Sequence, residues 1–206
     1  MVGKRDTDYR LHGVGINDAP EKISRIHPLH RCYQSWSDVL KRSYSKSLKA
    51  KRPTYAEVTC CNDWLRFTNF HSWWQDQEVP DHWELDKDII GRDSKIYCPE
   101  NCVYVEQALN CFTTETKSNM GKFPSGITYD KDYNNYRARC NSYHSGKRIH
   151  IGRFKTVEDA HYAYLEFKHN QALLWISEIE SNNLYKRKDE LCSALYERYK
   201  PINHGY

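Results

Sequence analysis

The chain has 206 residues, which is enough for one or two small domains. Charged residues make up 28% of it and its mean hydropathy is −0.89, values that exclude a membrane-embedded protein. The net charge of +4 and the 14% aromatic residues permit nucleic-acid binding without requiring it.

The N-terminal sequence and the cysteines indicate in which cellular compartment the protein is expected. The N-terminal residues MVGKRDTDYR contain no apolar segment, and no stretch is long and apolar enough for a transmembrane helix. We therefore expect a cytoplasmic protein with reduced thiols and no membrane partner. Cys98 and Cys102 are separated by three residues, no second pair has zinc-knuckle spacing, and Cys60 and Cys61 are adjacent. A structural zinc and buried free thiols are both compatible with this spacing.

The first third of the chain predicts two helices. Residues 1–30 are irregular, and a helix over Tyr33–Lys46 is expected to bury Trp36 and Val39. The basic stretch SKSLKAKRPT then predicts a connector, whose lysines either touch a phosphate backbone or are simply solvated. A second helix, capped near Asn62, is predicted by an aromatic stripe that begins at Trp64.

The stretch Leu85–Asn110 has the layout of a site for a hard divalent cation. Asp86 lies in an extended segment, a turn-rich connector follows at 91–94, and Asn101 opens an apolar run that closes on Asn110. A strand, a loop and a short helix ending in a second oxygen ligand would hold one Mg²⁺ or Mn²⁺. Such an ion is bound by one or two side-chain oxygens and keeps its other positions for waters and phosphate.

This layout resembles the HNH nucleases, which have the ββα-metal fold. Asn101 and Asn110 keep the family's nine-residue spacing, whereas Lys87 stands where the family has histidine. Four sequence segments within about residues 25 to 112 are also similar to phage-encoded HNH proteins. They are YQSWSDVLKRSY, PTYAEVTCCNDWLRFTNFHSWW, LDKDI and YCPENCVYV. The resemblance implies a metal-dependent DNA endonuclease of the homing type. In it, Asp86 and Asn110 bind the metal, Asn101 fixes the loop by hydrogen bonds, and Lys87 occupies a catalytic position.

Lys87 leaves three interpretations open. A lysine with an ordinary pKa of ~10.4 is protonated at neutral pH, so a lysine base needs a pKa lowered by burial or a nearby cation. Alternatively, Lys87 stays charged and holds the scissile phosphate, while His71, His82 or Asp88 deprotonates the water. In the third interpretation the site is inactive. The chain is then a degenerate HNH-fold DNA-binding or inhibitory phage protein, with a host protein as its partner in the host cytoplasm.

A polar linker is predicted at residues 113–124, between an HNH-like module at 1–112 and a second domain at 125–206. Three strands are expected there, over Gly126–Tyr129, Tyr136–Asn141 and Lys147–Phe154. Alternation gives the sheet one apolar and one basic face, and it assigns Gly152 to the basic face.

Helices complete the second domain. Thr156 is predicted to cap a helix that runs to about Glu180 and covers the apolar face of the sheet, with Asp159 at the capping-box position. A last helix over Tyr185–Tyr199 is expected to pack either on the C-terminal domain or on a second copy of the chain. The expected fold class is therefore α+β: a helical and ββα module, then a three-stranded antiparallel sheet packed on a helix, then a C-terminal helix.

Three segments of this domain are GITYDKDYNNYRAR, GKRIHIGRF and TVEDAHYAYLEF. They resemble the plant ethylene-response-factor (Apetala-two) DNA-binding domain, which also occurs in mobile HNH endonucleases. In that family the sheet enters the major groove, so the resemblance implies double-stranded DNA as the partner. The family's strand tryptophans are missing, and its target sequence is not carried over. The DNA-facing positions correspond to Thr128, Arg137, Arg139, Asn141, Arg148 and His150.

Overall fold

A computed structural model describes residues 10–114, 122–143, 145 and 147–201. The fold is α+β, with 46% of the described residues in helices and 19% in strands. It divides into two compact units, one of Met1–Asp81 with Leu85–Tyr104 and the other of His82–Glu84 with Val105–Tyr206. The predicted linker lies downstream of this division, and its residues 115–121 are outside the described ones. In the described ranges, no helix has the length and hydropathy needed to cross a bilayer.

The first unit contains helices α1 (His30–Tyr44), α2 (Lys46–Lys51) and α3 (Phe67–Asp76). The basic connector predicted over residues 45–54 is largely helical, because α2 takes up most of it. Ser45 ends α1 and caps α2, its side-chain oxygen accepting from the Leu48 backbone N–H at 3.4 Å. The Lys49 amine donates to the carbonyls of Ala56 and Val58, at 3.1 and 2.9 Å.

Aromatic side chains form the core of the first unit. Trp36, Trp64 and Phe70 are buried, and the Trp36 indole N–H donates to the Trp64 carbonyl at 2.7 Å. Strand β1 (Thr59–Cys60) pairs in parallel with β3 (Ile96–Tyr97) beside this core. The aromatic stripe expected around α3 is therefore packed in the core.

The stretch that carries the predicted metal ligands contains β3, two further strands that pair with each other, and two short helices. Strand β2 (Trp83–Asp86) leads into α4 (Asp88–Gly91), and β4 (Val103–Glu106) leads directly into α5 (Gln107–Thr113). Strands β2 and β4 hydrogen-bond to each other as a two-stranded sheet.

The second unit contains the predicted three-stranded antiparallel sheet in the order β5 (Ile127–Asp130), β6 (Asn135–Asn141) and β7 (Arg148–Phe154). Helix α6 (Val157–Ser181) packs on its apolar face, where Ile127, Ala138 and Ala160 are buried together. As predicted, the Thr156 hydroxyl caps α6 by accepting from the Asp159 backbone N–H at 3.1 Å.

A β-bulge changes one assignment in this sheet. Ala138 lies opposite Gly152, but the next residue, Arg139, lies opposite His150, which leaves Ile151 without a facing residue. The predicted position of Gly152 on the basic face is therefore wrong. Because the bulge shifts the alternation by one residue, Gly152 lies on the face covered by α6.

Helix α7 (Lys188–Tyr199) packs against α6 and buries Leu191 and Leu195. Its partner, left open by the sequence, is therefore α6. Lys168 of α6 is buried and donates to the Phe112 carbonyl at 2.6 Å, with its ammonium 3.6 Å from the centre of the Phe112 ring. This contact ties α6 to the C-terminal turn of α5.

Gly126 controls how closely the sheet approaches α6, and its substitution gives a stability prediction. Its φ is +78°, and a Cβ there would overlap the Tyr164 ring and lie 2.7 Å from the Arg139 carbonyl oxygen. We expect Gly126→Ala to lower the free energy of unfolding by more than about 2 kcal/mol. The cost of an alanine in the left-handed backbone region and the cost of its clash with Tyr164 add together. Urea denaturation measures this loss.

Gly13→Ala is the matched control, because Gly13 also has a positive φ of +84°, but a Cβ added there would meet no atom within 4 Å. Only the backbone strain of about 1 kcal/mol is expected at this position. Equal losses in the two variants would contradict the close approach of the sheet to α6.

Candidate functional site

The outward face of the three-stranded sheet is the first candidate site; we call it the basic face. Directly opposite residues of an antiparallel pair point to the same side, with Cβ atoms about 5 Å apart. The register pairs Thr128 with Arg137. It also pairs Arg139 with His150, and Asn141 with Arg148. All six residues predicted to contact DNA therefore lie on one face, opposite the face that α6 covers.

The six residues differ in how far they project into solvent. Arg137 and Arg139, on the central strand, are half-buried. The other four, Thr128, Asn141, Arg148 and His150, are exposed. The central strand thus presents two half-buried guanidinium groups, and the exposed polar groups lie at the end of that strand and on the outer strands.

Two residues on this face were missed by the sequence analysis. Arg153 lies directly opposite Arg137, on the outward side, because the bulge shifts the alternation of β7. Asp130, at the end of β5, is buried and forms ion pairs with Arg137 and Arg153. A glycine inside a strand often marks a bulge, so Gly152 was the available signal for Arg153.

Asp86, the last residue of β2, is the first predicted metal ligand. Its Oδ1 accepts hydrogen bonds from the backbone N–H groups of Asp88 and Ile89, both at 2.7 Å, and so caps the first turn of α4. Burial raises the pKa of Asp86, and these two hydrogen bonds oppose that shift. A divalent cation on the second carboxylate oxygen would also oppose it, because it favours the ionised form.

Lys87 is buried, with 5% of its side chain exposed. Its ammonium forms an ion pair with Asp88 and donates to the Ser94 carbonyl at 3.2 Å. It also lies 5.7 Å from the centre of the Tyr97 ring. These contacts hold the loop between α4 and β3, which is a structural role; the catalytic role stays a prediction.

Asn101 holds the same loop from its other side. Its amide nitrogen donates to the Ser94 hydroxyl at 2.7 Å and to the Ile96 carbonyl at 3.0 Å. Gly91 lies against it, since a Cβ at Gly91 would be 3.0 Å from the Asn101 Cβ. This is the kind of contact that the sequence analysis expected of Asn101.

Asn110, the second predicted metal ligand, lies on α5 in the second unit, whereas Asp86 belongs to the first. Its amide nitrogen donates to a Glu84 carboxylate oxygen at 2.7 Å. This bond uses the amide nitrogen, and the predicted metal contact would use the amide oxygen. Glu84 was missed by the sequence analysis; it lies two residues before Asp86 on β2, where alternation puts both carboxylates on one face.

Oxygen donors of this kind suit Mg²⁺ or Mn²⁺. Among the described residues, no group of three or more His, Cys, Asp or Glu side chains is arranged to hold a metal ion. All eight cysteines are free thiols. The Cys61 thiol has a pKa lowered to about 7, chiefly because the Cys60 thiol donates a hydrogen bond to it.

Comparison with protein-family models, with curated proteins and with solved structures gives no match for this chain.

Lys87→Met tests the structural role of the lysine. Methionine keeps most of the buried stem but removes the donor to the Ser94 carbonyl, so we expect the free energy of unfolding to fall by about 1–3 kcal/mol. The lost ion pair adds little, because Asp88 is exposed. Chemical denaturation measures the change.

Lys95→Met is the control, since Lys95 is exposed on the same loop. A change within about 0.5 kcal/mol is expected there. Unchanged stability in Lys87→Met would show that the amine does not hold the loop, and would favour a purely chemical role.

Proposed function

We propose that the chain is a metal-dependent DNA endonuclease whose three-stranded sheet binds double-stranded DNA and whose β2–β4–α5 segment cleaves it. The observation that carries the proposal is the register of the sheet. It gathers four arginines on one face, opposite the face packed against α6.

The dimensions and chemistry of the basic face suit the DNA major groove. Three strands span about 10 Å from first to last, close to the groove width of about 12 Å. Arginines such as Arg139 and Arg148 bind phosphates or guanine edges, and Asn141 pairs with adenine. The Asn and Thr side chains add base-edge contacts that a purely electrostatic surface would lack.

Two features support the proposed cleavage of DNA by the β2–β4–α5 segment: the order of its secondary-structure elements and the side-chain oxygens that they carry. Strands β2 and β4 pair with each other, with α4 and β3 between them in the chain, and α5 follows β4 at once. The HNH resemblance implies two paired strands and a helix in its ββα module, and this pairing supports the proposal. Asp86 and Asn110 are the oxygen donors that the HNH resemblance implies for the metal, and Asn101 would keep the loop fixed. A bound Mg²⁺ would supply Lewis-acid stabilisation of the phosphorane charge.

The environment of Lys87 favours a second candidate, a catalytically degenerate DNA-binding or inhibitory protein. Its ammonium is committed to Asp88 and the Ser94 carbonyl, so it is poorly placed to take a proton from water. His71 stacks on Phe67 with ring centroids 5.8 Å apart, which is a packing role. His82 is exposed, and Asp88 is exposed and paired with Lys87, so neither has a fixed catalytic position.

DNA binding is tested by Arg148→Ala, measured by fluorescence anisotropy with a short duplex across a salt series. Arg148 is exposed on an outer strand, and we expect a phosphate contact. Its loss should weaken binding on all sequences and reduce the slope of log affinity against log salt by about 1. Lys200→Ala is the control, because Lys200 is exposed on the second unit and paired with Glu197. Equal effects of the two substitutions would argue against the basic face.

Cleavage is tested by incubating supercoiled plasmid with the protein and Mg²⁺ or Mn²⁺. The wild type should nick or linearise the plasmid, and Asp86→Asn should abolish this while leaving DNA affinity unchanged. Asp93→Asn, on the exposed loop, is the matched control and should retain activity. No cleavage with either metal, together with intact DNA binding, would favour the second candidate. Activity gained by Lys87→His would then identify the lysine as the defect.

A further inference from the structure

Asp130 is an unusual component of a surface that binds a polyanion. Its side chain is only 6% exposed, although it lies at the edge of the basic face. It forms an ion pair with Arg137 Nε at 3.2 Å and a longer one with Arg153 Nη2 at 3.8 Å. It also accepts from the Asp132 backbone N–H at 3.3 Å. A buried carboxylate is tolerated only when it is paired in this way.

The pairing leaves one edge of the Arg137 guanidinium for a ligand. Asp130 lies 3.2 Å from Arg137 Nε as an ion pair without hydrogen-bond geometry, and we expect the two terminal nitrogens to take the ligand. Those nitrogens form the planar fork that recognises guanine O6 and N7 in a bidentate manner. Arg137 is also central, because it lies between Thr128 on β5 and Arg153 on β7.

Arg153 is held on two sides. Its guanidinium carbon lies 4.3 Å from the centre of the Tyr133 ring, and a terminal nitrogen meets Asp130. Tyr133 itself is 63% exposed, so Arg153 is braced at the rim of the face. By contrast, Arg139 and Arg148 form no ion pair within the described part of the chain. Among the described residues, the basic face thus contains two arginines paired with Asp130 and two without an ion pair.

We propose that Asp130 is a positioning residue that fixes Arg137 to read a guanine in the major groove, whereas Arg139 and Arg148 contact phosphates. This inference rests on the proposed DNA binding. In this proposal the preference for a DNA sequence comes from the ion pair between Asp130 and Arg137. The affinity for DNA of any sequence comes from Arg139 and Arg148.

Two physical roles of Asp130 predict opposite effects of Asp130→Asn. If the carboxylate only reduces the positive charge of the face, its removal strengthens binding to every DNA sequence. If it positions Arg137, its removal lowers the preference for the selected base pair, because the guanidinium loses its fixed orientation. The ratio of affinities for preferred and substituted sites separates the two roles.

The experiment uses the full chain to select duplexes from a random library at physiological salt. Dissociation constants are then measured for the preferred site and for versions substituted at each G·C pair. The wild type should discriminate at one G·C pair by roughly 5- to 100-fold. Asp130→Asn and Arg137→Ala should both bring this ratio towards one at the same pair. Arg139→Ala is the matched control. It should weaken binding to all sequences alike and leave the ratio of affinities at that G·C pair unchanged.

Arg137→Lys keeps the inference testable if Asp130→Asn does not fold, which urea denaturation reports. Lysine retains the positive charge beside Asp130 but lacks the bidentate fork, so discrimination should fall while affinity for non-preferred DNA stays within about threefold. An unchanged base preference in Arg137→Lys or in Asp130→Asn overturns the inference while DNA binding stands. Failure of the wild type to bind any duplex overturns the proposed function as well.

Discussion

Burial of Ala138 between the sheet and α6 determines which face of the sheet is open to a partner. Ala138 and Ala160 are both fully buried, and their small side chains let strand and helix approach closely. Because side chains alternate along a strand, this contact sends Arg137 and Arg139 outward. The opposite arrangement would bury two guanidinium groups in an apolar core, at a cost of several kcal/mol each. The basic face is therefore a consequence of the packing.

The sequence predicted the elements of this domain well and its register only in part. Strand and helix positions follow from alternation and from the Thr156 cap, which are local signals. The bulge depends on which residues of β7 can pair with β6 once α6 is packed, and no local pattern encodes that choice. As a result Arg153 was missed and Gly152 was assigned to the wrong face. Asp130 was missed for a related reason, since its partners lie on two other strands.

At the candidate metal site, the contacts of the loop between α4 and β3 could be predicted from the sequence only in part. The HNH resemblance implied that Asn101 fixes the loop, and Asn101 donates to the Ser94 hydroxyl and the Ile96 carbonyl. The burial of Lys87 could not be predicted, because it depends on contacts with the Ser94 carbonyl and the Tyr97 ring. A long side chain reaches that carbonyl where a shorter imidazole would not. The lysine that looks like a lost catalytic base is thus also a support of the loop.

Asp130 affects both the stability and the charge of the sheet. Arg137 and Arg153 lie directly opposite each other, an arrangement in which like charges destabilise a sheet. The Asp130 carboxylate forms an ion pair with each of them, which relieves that repulsion and removes one unit of positive charge from the basic face. If the face binds DNA as proposed, this carboxylate weakens the general attraction for phosphate. Such a trade would favour a surface that distinguishes sequences over one that binds all DNA equally.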